Sequence, residues 1–311
     1  MKIDISLPSK REIIISVAIS VVFLILTAIF VGYRPEHSLL VGLFLLLFFL
    51  NTNTRKLAFG LLPFLLFGIS YDWMRVYPNY KVNSIDVADL YNLEKLLFGI
   101  HLDGKILIPS EFFATYHLPV LDFLCGIFYL GWVPIPLAFG LFLYAKKHRD
   151  NFLRFGIVFL FVNLLGFLGY YIHPAAPPWY AMHYGFTAVI NTPGNMAGLA
   201  RFDELLGLPI FNSIYGRNAN VFAAVPSLHS AYLVVVLFYA FRDKVNWAIK
   251  SVVILFMLGI WFTAVYTGHH YLVDVILGIS CAVVGIFLFE KGLMKLPAFA
   301  NFYQRYLERV K

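Results

Sequence analysis

Charge is scarce in this sequence. Asp, Glu, Lys and Arg together make up 13% of 311 residues, whereas 60% are apolar and 18% aromatic. That ratio excludes an ordinary soluble domain, and with a mean hydropathy of +0.78 it identifies an all-α polytopic membrane protein. Cysteine is nearly absent. Cys125 and Cys281 each sit inside an apolar run, with no CxxC and no histidine at ligand spacing, which excludes a disulfide framework; both read as core residues. Elsewhere no carboxylates, Cys or His stand at metal-ligand spacing, so neither metal nor cofactor is expected. The first apolar run, Ile13 to Val31, lacks the small-residue cleavage site of a signal peptide and is too long for one. No internal repeat of a transporter kind is visible. In a soluble protein the net charge of +7 would suggest an acidic partner; in a membrane protein it records basic residues kept on the cytoplasmic side, with no nucleic-acid partner implied.

What is plentiful is helix-length apolar sequence. The runs Ile13 to Val31, Leu39 to Leu50, Leu57 to Trp73, Leu118 to Tyr144 and Phe152 to Ile172, and three more starting near Pro226, Trp247 and Tyr271, predict about eight transmembrane helices. Pro134 and Pro136 should break the fourth near its middle. An amphipathic helix around Val87 to Phe98 should lie along the membrane surface. The segment from His173 to Ala224 is too rich in Pro, Gly and Asn for a span. With the N-terminus inside, 17 of the 24 Lys and Arg fall on inner segments and 7 on outer ones. Both termini should therefore be cytoplasmic.

Two polar islands interrupt this apolar sequence, Val225-Pro226-Ser227-Leu228-His229-Ser230 and Thr267-Gly268-His269-His270-Tyr271-Leu272-Val273-Asp274. Each opens a span, where ionisable groups are costly unless used. Between His229 and His270 lie a run to Phe241, a charged break at Arg242, Asp243 and Lys244, and a second run from Trp247 to Val265. One helix going in and one coming back would bring both histidines to the same face. If the chain is helical from Tyr271, His270 and Asp274 share a helix face, so the carboxylate can hold one imidazole nitrogen and leave the other free to act. Two helix N-termini, with their open N–H groups, would then converge on an anion.

These residues carry a resemblance. Pro226-Ser227-Leu228-His229 and His270-x-x-x-Asp274 resemble signature motifs of the type 2 phosphatidic acid phosphatase superfamily. Ala-Val-Pro-Ser-Leu-His-Ser at 224 to 230, His-His-Tyr-x-x-Asp at 269 to 274 and Ala-Pro-Pro-Trp-Tyr at 176 to 180 look most like its inositol phosphorylceramide synthase branch. The resemblance implies a six-helix catalytic membrane domain over 56–291, two accessory helices over 1–55 and a basic cytoplasmic tail over 292–311. The chain departs from the superfamily pattern where an arginine is expected six residues before His270, since Ala264 stands there, with Thr263 in place of a serine.

Displacement at phosphorus needs a nucleophile, a group that orients it and an acid for the leaving alkoxide. His270 fits the nucleophile, forming a phosphohistidine, Asp274 its orienting partner, and His229 the acid and then the base; the resemblance implies the same roles. Ser227 is a candidate donor to phosphate oxygens, whereas Ser230 is expected to be structural. Arg75 and Arg217 are candidates for the missing cation, or are interfacial arginines. His269, adjacent to the nucleophile, should point elsewhere on the helix, towards the loop or the headgroup. Trp179 and Tyr180 are belt aromatics or, by the resemblance, shape the headgroup pocket; Asp72 and Asp122 should pair with basic residues. The expected function is transfer of a phosphoinositol-type headgroup from a phosphatidylinositol-like donor to a ceramide-like acceptor. The site would lie on the periplasmic side of a bacterial inner membrane, or in the Golgi lumen of a eukaryote. A lipid phosphate or polyprenyl pyrophosphate phosphatase would use the same residues, and a proton-coupled transporter is the alternative from another class. Against the transporter, the ionisable groups gather at span ends rather than at the midplane.

Overall fold

The computed structural model describes residues 7–216 and 220–311. In chain order its helices are α1 (Lys10–Thr27), α2 (Pro35–Leu50), α3 (Thr52–Trp73), α4 (Ala88–Phe98), α5 (Pro109–Thr115), α6 (Pro119–Leu130), α7 (Pro134–Ala145), α8 (Arg149–Ile172), α9 (Pro178–Tyr184), α10 (Ala200–Leu206), α11 (Ile210–Tyr215), α12 (Leu228–Arg242), α13 (Trp247–Tyr266), α14 (Leu272–Phe287) and α15 (Pro297–Val310). A hairpin of β1 (Ile100–Leu102) and β2 (Lys105–Leu107), turning at Asp103-Gly104, is the sheet among the described residues. Proline opens α2, α5, α6, α7, α9 and α15, where its missing N–H costs no helical bond. Asn51 and Asn246 cap α3 and α13 by accepting from Thr54 and Ile249.

Seven of the eight expected spans each fall on one helix, and the fourth falls on two, α6 and α7. Four are long and apolar enough to cross a membrane by themselves: Lys10–Gly32, Arg149–Ile172, Trp247–Tyr266 and Leu272–Lys295. α6 and α7 form a fifth if counted together, bent by 44° at the break that Pro134 imposes. α2 and α12 are apolar but shorter. The 15 residues of α12 rise about 22 Å, less than the ~30 Å hydrocarbon core, which leaves the preceding loop to make up the depth.

α8 is the buried axis. Phe152, Leu153, Phe155, Val158 and Val162 are wholly enclosed, and α3, α7, α12 and α14 pack around them. Two glycines on α14 allow the backbones to close up: a Cβ at Gly278 would collide with the Ser227 carbonyl, and one at Gly285 with Val162.

At the end of the bundle expected to face outward, the two long connecting segments are joined to each other. Asp86, Ala175 and Ala223 form consecutive parallel bridges. The Asn79 amide donates to the Tyr170 and Phe222 carbonyls at 2.8 Å. The expected surface helix is α4, which turns Leu90, Tyr91 and Glu94 inward and leaves Leu93, Leu96 and Leu97 exposed. At the opposite end the expected basic tail is a docked helix. α15 buries Tyr303, Leu307 and Val310 against α3 and α8, and its Tyr306 hydroxyl donates to the Phe59 carbonyl at 2.6 Å.

Candidate active site

The antiparallel α12–α13 pair returns the chain to the face from which it left, so that His229 in the first turn of α12 meets His270 in the loop before α14. That loop is folded by one acceptor: the N–H groups of His269 and His270 both donate to the Ala264 carbonyl, at 3.0 and 2.9 Å, with Gly268 in the left-handed region (φ +74°) to make the turn. The outer segments clamp it. Trp179 N–H donates to the Gly268 carbonyl at 2.9 Å and Gly198 N–H to that of Thr267 at 2.8 Å.

His270 Nδ1 lies 3.1 Å from the Ala224 carbonyl and 3.4 Å from Asp274 Oδ2. Both neighbours are acceptors, so Nδ1 carries the ring hydrogen and Nε2 presents its lone pair. His229 Nδ1 stands 3.1 Å from that lone pair. It must be the protonated nitrogen of its own ring. Burial holds His270 down to about 4, against the opposing effect of the Ala224 carbonyl, so at neutral pH its imidazole is uncharged and able to attack. Asp274 also accepts from the Tyr271 N–H at 3.0 Å, and its carbonyl receives the Ser227 N–H at 3.0 Å, tying the two islands together.

The histidines open into a cavity of about 300 Å³ walled by aromatic side chains, Trp132, Trp179, Tyr170 and Tyr215 among them. Among the described residues no Lys or Arg lines it. His269 and Trp179 are in its wall. Tyr180 is not: it is fully buried and braces the outer loop, donating to the Thr187 carbonyl and accepting from Val189 N–H. Ser227 is not brought to the cavity either. Gly278 packs against its carbonyl, and its hydroxyl accepts from Ser230 at 3.1 Å, so both serines are structural. Arg75 pairs with Asp72 beside Arg34, away from the cavity wall, and Arg217 lies outside the described residues. Asp72 and Asp122 hold basic partners as expected, Asp122 bonding Arg201 at 2.6 Å.

The expected pair of open helix N-termini is corrected. At α14 the Leu272 and Val273 N–H groups are taken by Glu94 of α4, at 2.9 and 3.1 Å, so that end offers an anion nothing. Glu94 is 1% exposed. Burial raises its carboxyl above the ordinary range, the two N–H groups oppose this, and Asp274 adds to it. Sequence reasoning missed Glu94 because its partner lies 178 residues away; the signal present was a lone acid on the inward face of an amphipathic helix.

The family profile described as "PAP2 superfamily" matches residues 100–288. The chain is 59% identical over 305 residues to the phosphoinositol dihydroceramide synthase of Bacteroides thetaiotaomicron, covering 98% of this chain and 100% of that one. It is 30% identical over 249 residues to the inositol phosphorylceramide synthase catalytic subunit of Saccharomyces cerevisiae, and 32% identical over 235 residues to the inositol phosphorylceramide synthase of Candida albicans. Those alignments cover 78% and 71% of this chain but 59% and 46% of the longer fungal proteins. No solved structure matches it.

Proposed function

The chain belongs to the PAP2 superfamily, and we propose that it is a membrane phosphotransferase that moves phosphoinositol from phosphatidylinositol to the primary hydroxyl of dihydroceramide or ceramide. The observation that carries this is His229 Nδ1 facing His270 Nε2 at 3.1 Å in the wall of an aromatic cavity. The likeness to a phosphoinositol dihydroceramide synthase supplies the lipids.

In the first step the donor's phosphorus enters between the two rings. His270 Nε2 attacks it and the bond from phosphorus to the diacylglycerol oxygen breaks; His229, an imidazolium once the anionic donor is bound, gives its Nδ1 proton to the departing alkoxide and is left as the neutral ring. The imidazolium that develops on His270 is stabilised at Nδ1–H by the Ala224 carbonyl and the Asp274 carboxylate. In the second step His229 takes the proton of the acceptor hydroxyl, whose oxygen attacks phosphorus while the electron pair of the P–N bond returns to His270.

Water must be kept from the phosphohistidine, and the roof provides for that. Pro177, Trp179, Phe211, Ile214 and Val221, all from the segment after α8, close over the cavity. Residues 75 to 116 contribute no lining residue and instead buttress α14 through Glu94. Catalysis is assigned to residues 56–291, which hold every group named here, and the cavity to the face opposite the basic end of the protein, the non-cytoplasmic side.

The test is transfer by purified protein from labelled phosphatidylinositol. With dihydroceramide added, inositol phosphodihydroceramide and diacylglycerol should form faster than inositol phosphate is released. Faster release of phosphate from lipid phosphomonoesters, indifferent to the sphingolipid, would replace the transferase with a phosphatase.

A further inference from the structure

Beyond the two catalytic histidines the cavity wall continues to a group of polar side chains that phosphoryl transfer leaves unused: His269, Tyr215 on α11 and, behind them, Tyr129 on α6. The His269 ring lies 4.5 Å from that of Tyr215 and 5.5 Å from that of Tyr129, centroid to centroid, and Tyr129 lies 5.2 Å from His229. The Tyr215 and Tyr129 hydroxyls are neighbours.

The tautomer of His269 follows from its surroundings. Thr267 Oγ1 gives its single proton to the Thr263 carbonyl at 2.7 Å. Towards His269 Nδ1, 2.8 Å away, that oxygen can therefore only accept. Nδ1 carries the ring hydrogen, and Nε2 is a bare lone pair. This Nε2 is buried without a hydrogen-bond partner. Burial, with His270 and His229 alongside, holds His269 well below the ordinary imidazole value despite the Asn195 carbonyl, so the lone pair stays unprotonated at neutral pH.

A buried acceptor with no donor is costly, and the cost is recovered only by a ligand that brings the donor. A phosphate dianion brings none. A phosphocholine headgroup has no N–H or O–H to offer, and phosphoethanolamine offers a single polar group where two wait. A ring bearing several adjacent hydroxyls, each able to donate and accept, suits both.

We propose that His269 and Tyr215 form a polyol-binding subsite, in which His269 Nε2 accepts from a hydroxyl of the donor headgroup and the Tyr215 hydroxyl, backed by Tyr129, bonds a neighbouring one. The subsite rests on the transfer reaction proposed above and names what in the headgroup is recognised: the hydroxyl array rather than the phosphate.

Binding to full-length His270→Ala protein, which cannot form the phosphohistidine, tests this without turnover. The probes are dihexanoyl phosphatidylinositol and dihexanoyl phosphatidylglycerol, measured by calorimetry in detergent. The His270→Ala protein should bind the inositol lipid at least about tenfold more tightly. Adding His269→Phe should bring the two lipids within about twofold, and adding Tyr215→Phe should cost about threefold or more of the preference. His269→Gln, whose amide oxygen takes the place of Nε2, should restore most of it. Equal binding of the two lipids by the His270→Ala protein overturns the subsite. So does a preference that survives both His269→Phe and Tyr215→Phe. Should His269→Phe lower the melting temperature sharply, Tyr215→Phe, which removes one oxygen, decides the matter. Selective inositol-lipid binding in a protein that transfers nothing to ceramide would uphold the subsite and fault the reaction instead.

Discussion

α8, α12 and α14 carry ionisable clusters at both ends, and the two ends are finished differently. At the inner end Glu290, just beyond α14, receives Arg154 at 3.0 Å, Arg242 at 2.8 Å and the Tyr239 hydroxyl at 2.7 Å. Asp150 receives Arg154 at 2.9 Å and the Tyr303 hydroxyl at 2.7 Å. At the outer end Asp274 Oδ1 and His269 Nε2 have no partner, and His269 lines a cavity. Buried polar groups are expensive unless bonded. A closed cluster therefore fastens helices together, whereas one with unspent hydrogen-bonding capacity and adjoining space is completed by a substrate.

The sharpest way to break this contrast is to remove the reacting groups. His270→Ala and His229→Ala should each lower kcat by about 10⁴-fold, and Asp274→Asn by about a hundredfold, with the proteins still folded. Normal turnover in His270→Ala would end the phosphohistidine route. Quenching the unmutated protein and labelled donor in alkaline detergent should trap an acid-labile phosphoprotein that His270→Ala does not form.

The inner end should answer oppositely. Glu290→Gln leaves two arginines without their carboxylate and should cost about 4 kcal/mol of stability, read as a lower melting temperature in detergent, while turnover per folded molecule changes less than about twofold. Loss of turnover without loss of stability would erase the distinction between the ends.

A smaller effect is the acid response of the outer end. His270 is held near 4 in the folded protein against an ordinary 6.5. Between those values the unfolded chain binds the extra proton, so stability falls as pH drops from 6.5 to 4, by up to about 3 kcal/mol. Melting temperature followed across that range should fall, and His270→Ala should flatten the slope.

Much of this contrast was legible in the sequence, for a physical reason. His229, His270 and Asp274 announce themselves because ionisable groups in apolar sequence are rare, and the helix lengths between them dictate that they meet. The broken span at Pro134 and the inward stripe of α4 follow equally from local rules. What stayed hidden depends on contacts between distant segments. Ser227 sits in a motif and looked like a phosphate donor, but the close approach of Gly278 buries it. Arg75 is at the right height and is captured by Asp72. Tyr129 and Tyr215 are ordinary aromatics in an aromatic-rich chain until α6 and α11 bring them to His269. The hairpin was signalled by Asp103-Gly104 between short apolar stretches, a turn the alternation there supports.

Glu94 offers the finest test of the comparison, because it is fully bonded like the inner cluster yet acts on the outer one. Both its oxygens are spent on the Leu272 and Val273 N–H groups, two residues beyond His270 and just ahead of Asp274. In Glu94→Gln one oxygen becomes an NH₂ that faces a backbone donor, so one N–H loses its partner and the first turn of α14 shifts. Since Glu94 does not line the cavity, substrate binding should hold while the His270–Asp274 geometry loosens: kcat lower by about tenfold with KM nearly unchanged. Glu94→Asp keeps two acceptor oxygens and should recover part of the loss. A purely structural carboxylate would give a different result, a lower melting temperature with kcat per folded molecule intact. That outcome would move Glu94 to the side of Glu290 and leave the positioning of His270 to Asp274 and the Ala224 and Ala264 carbonyls.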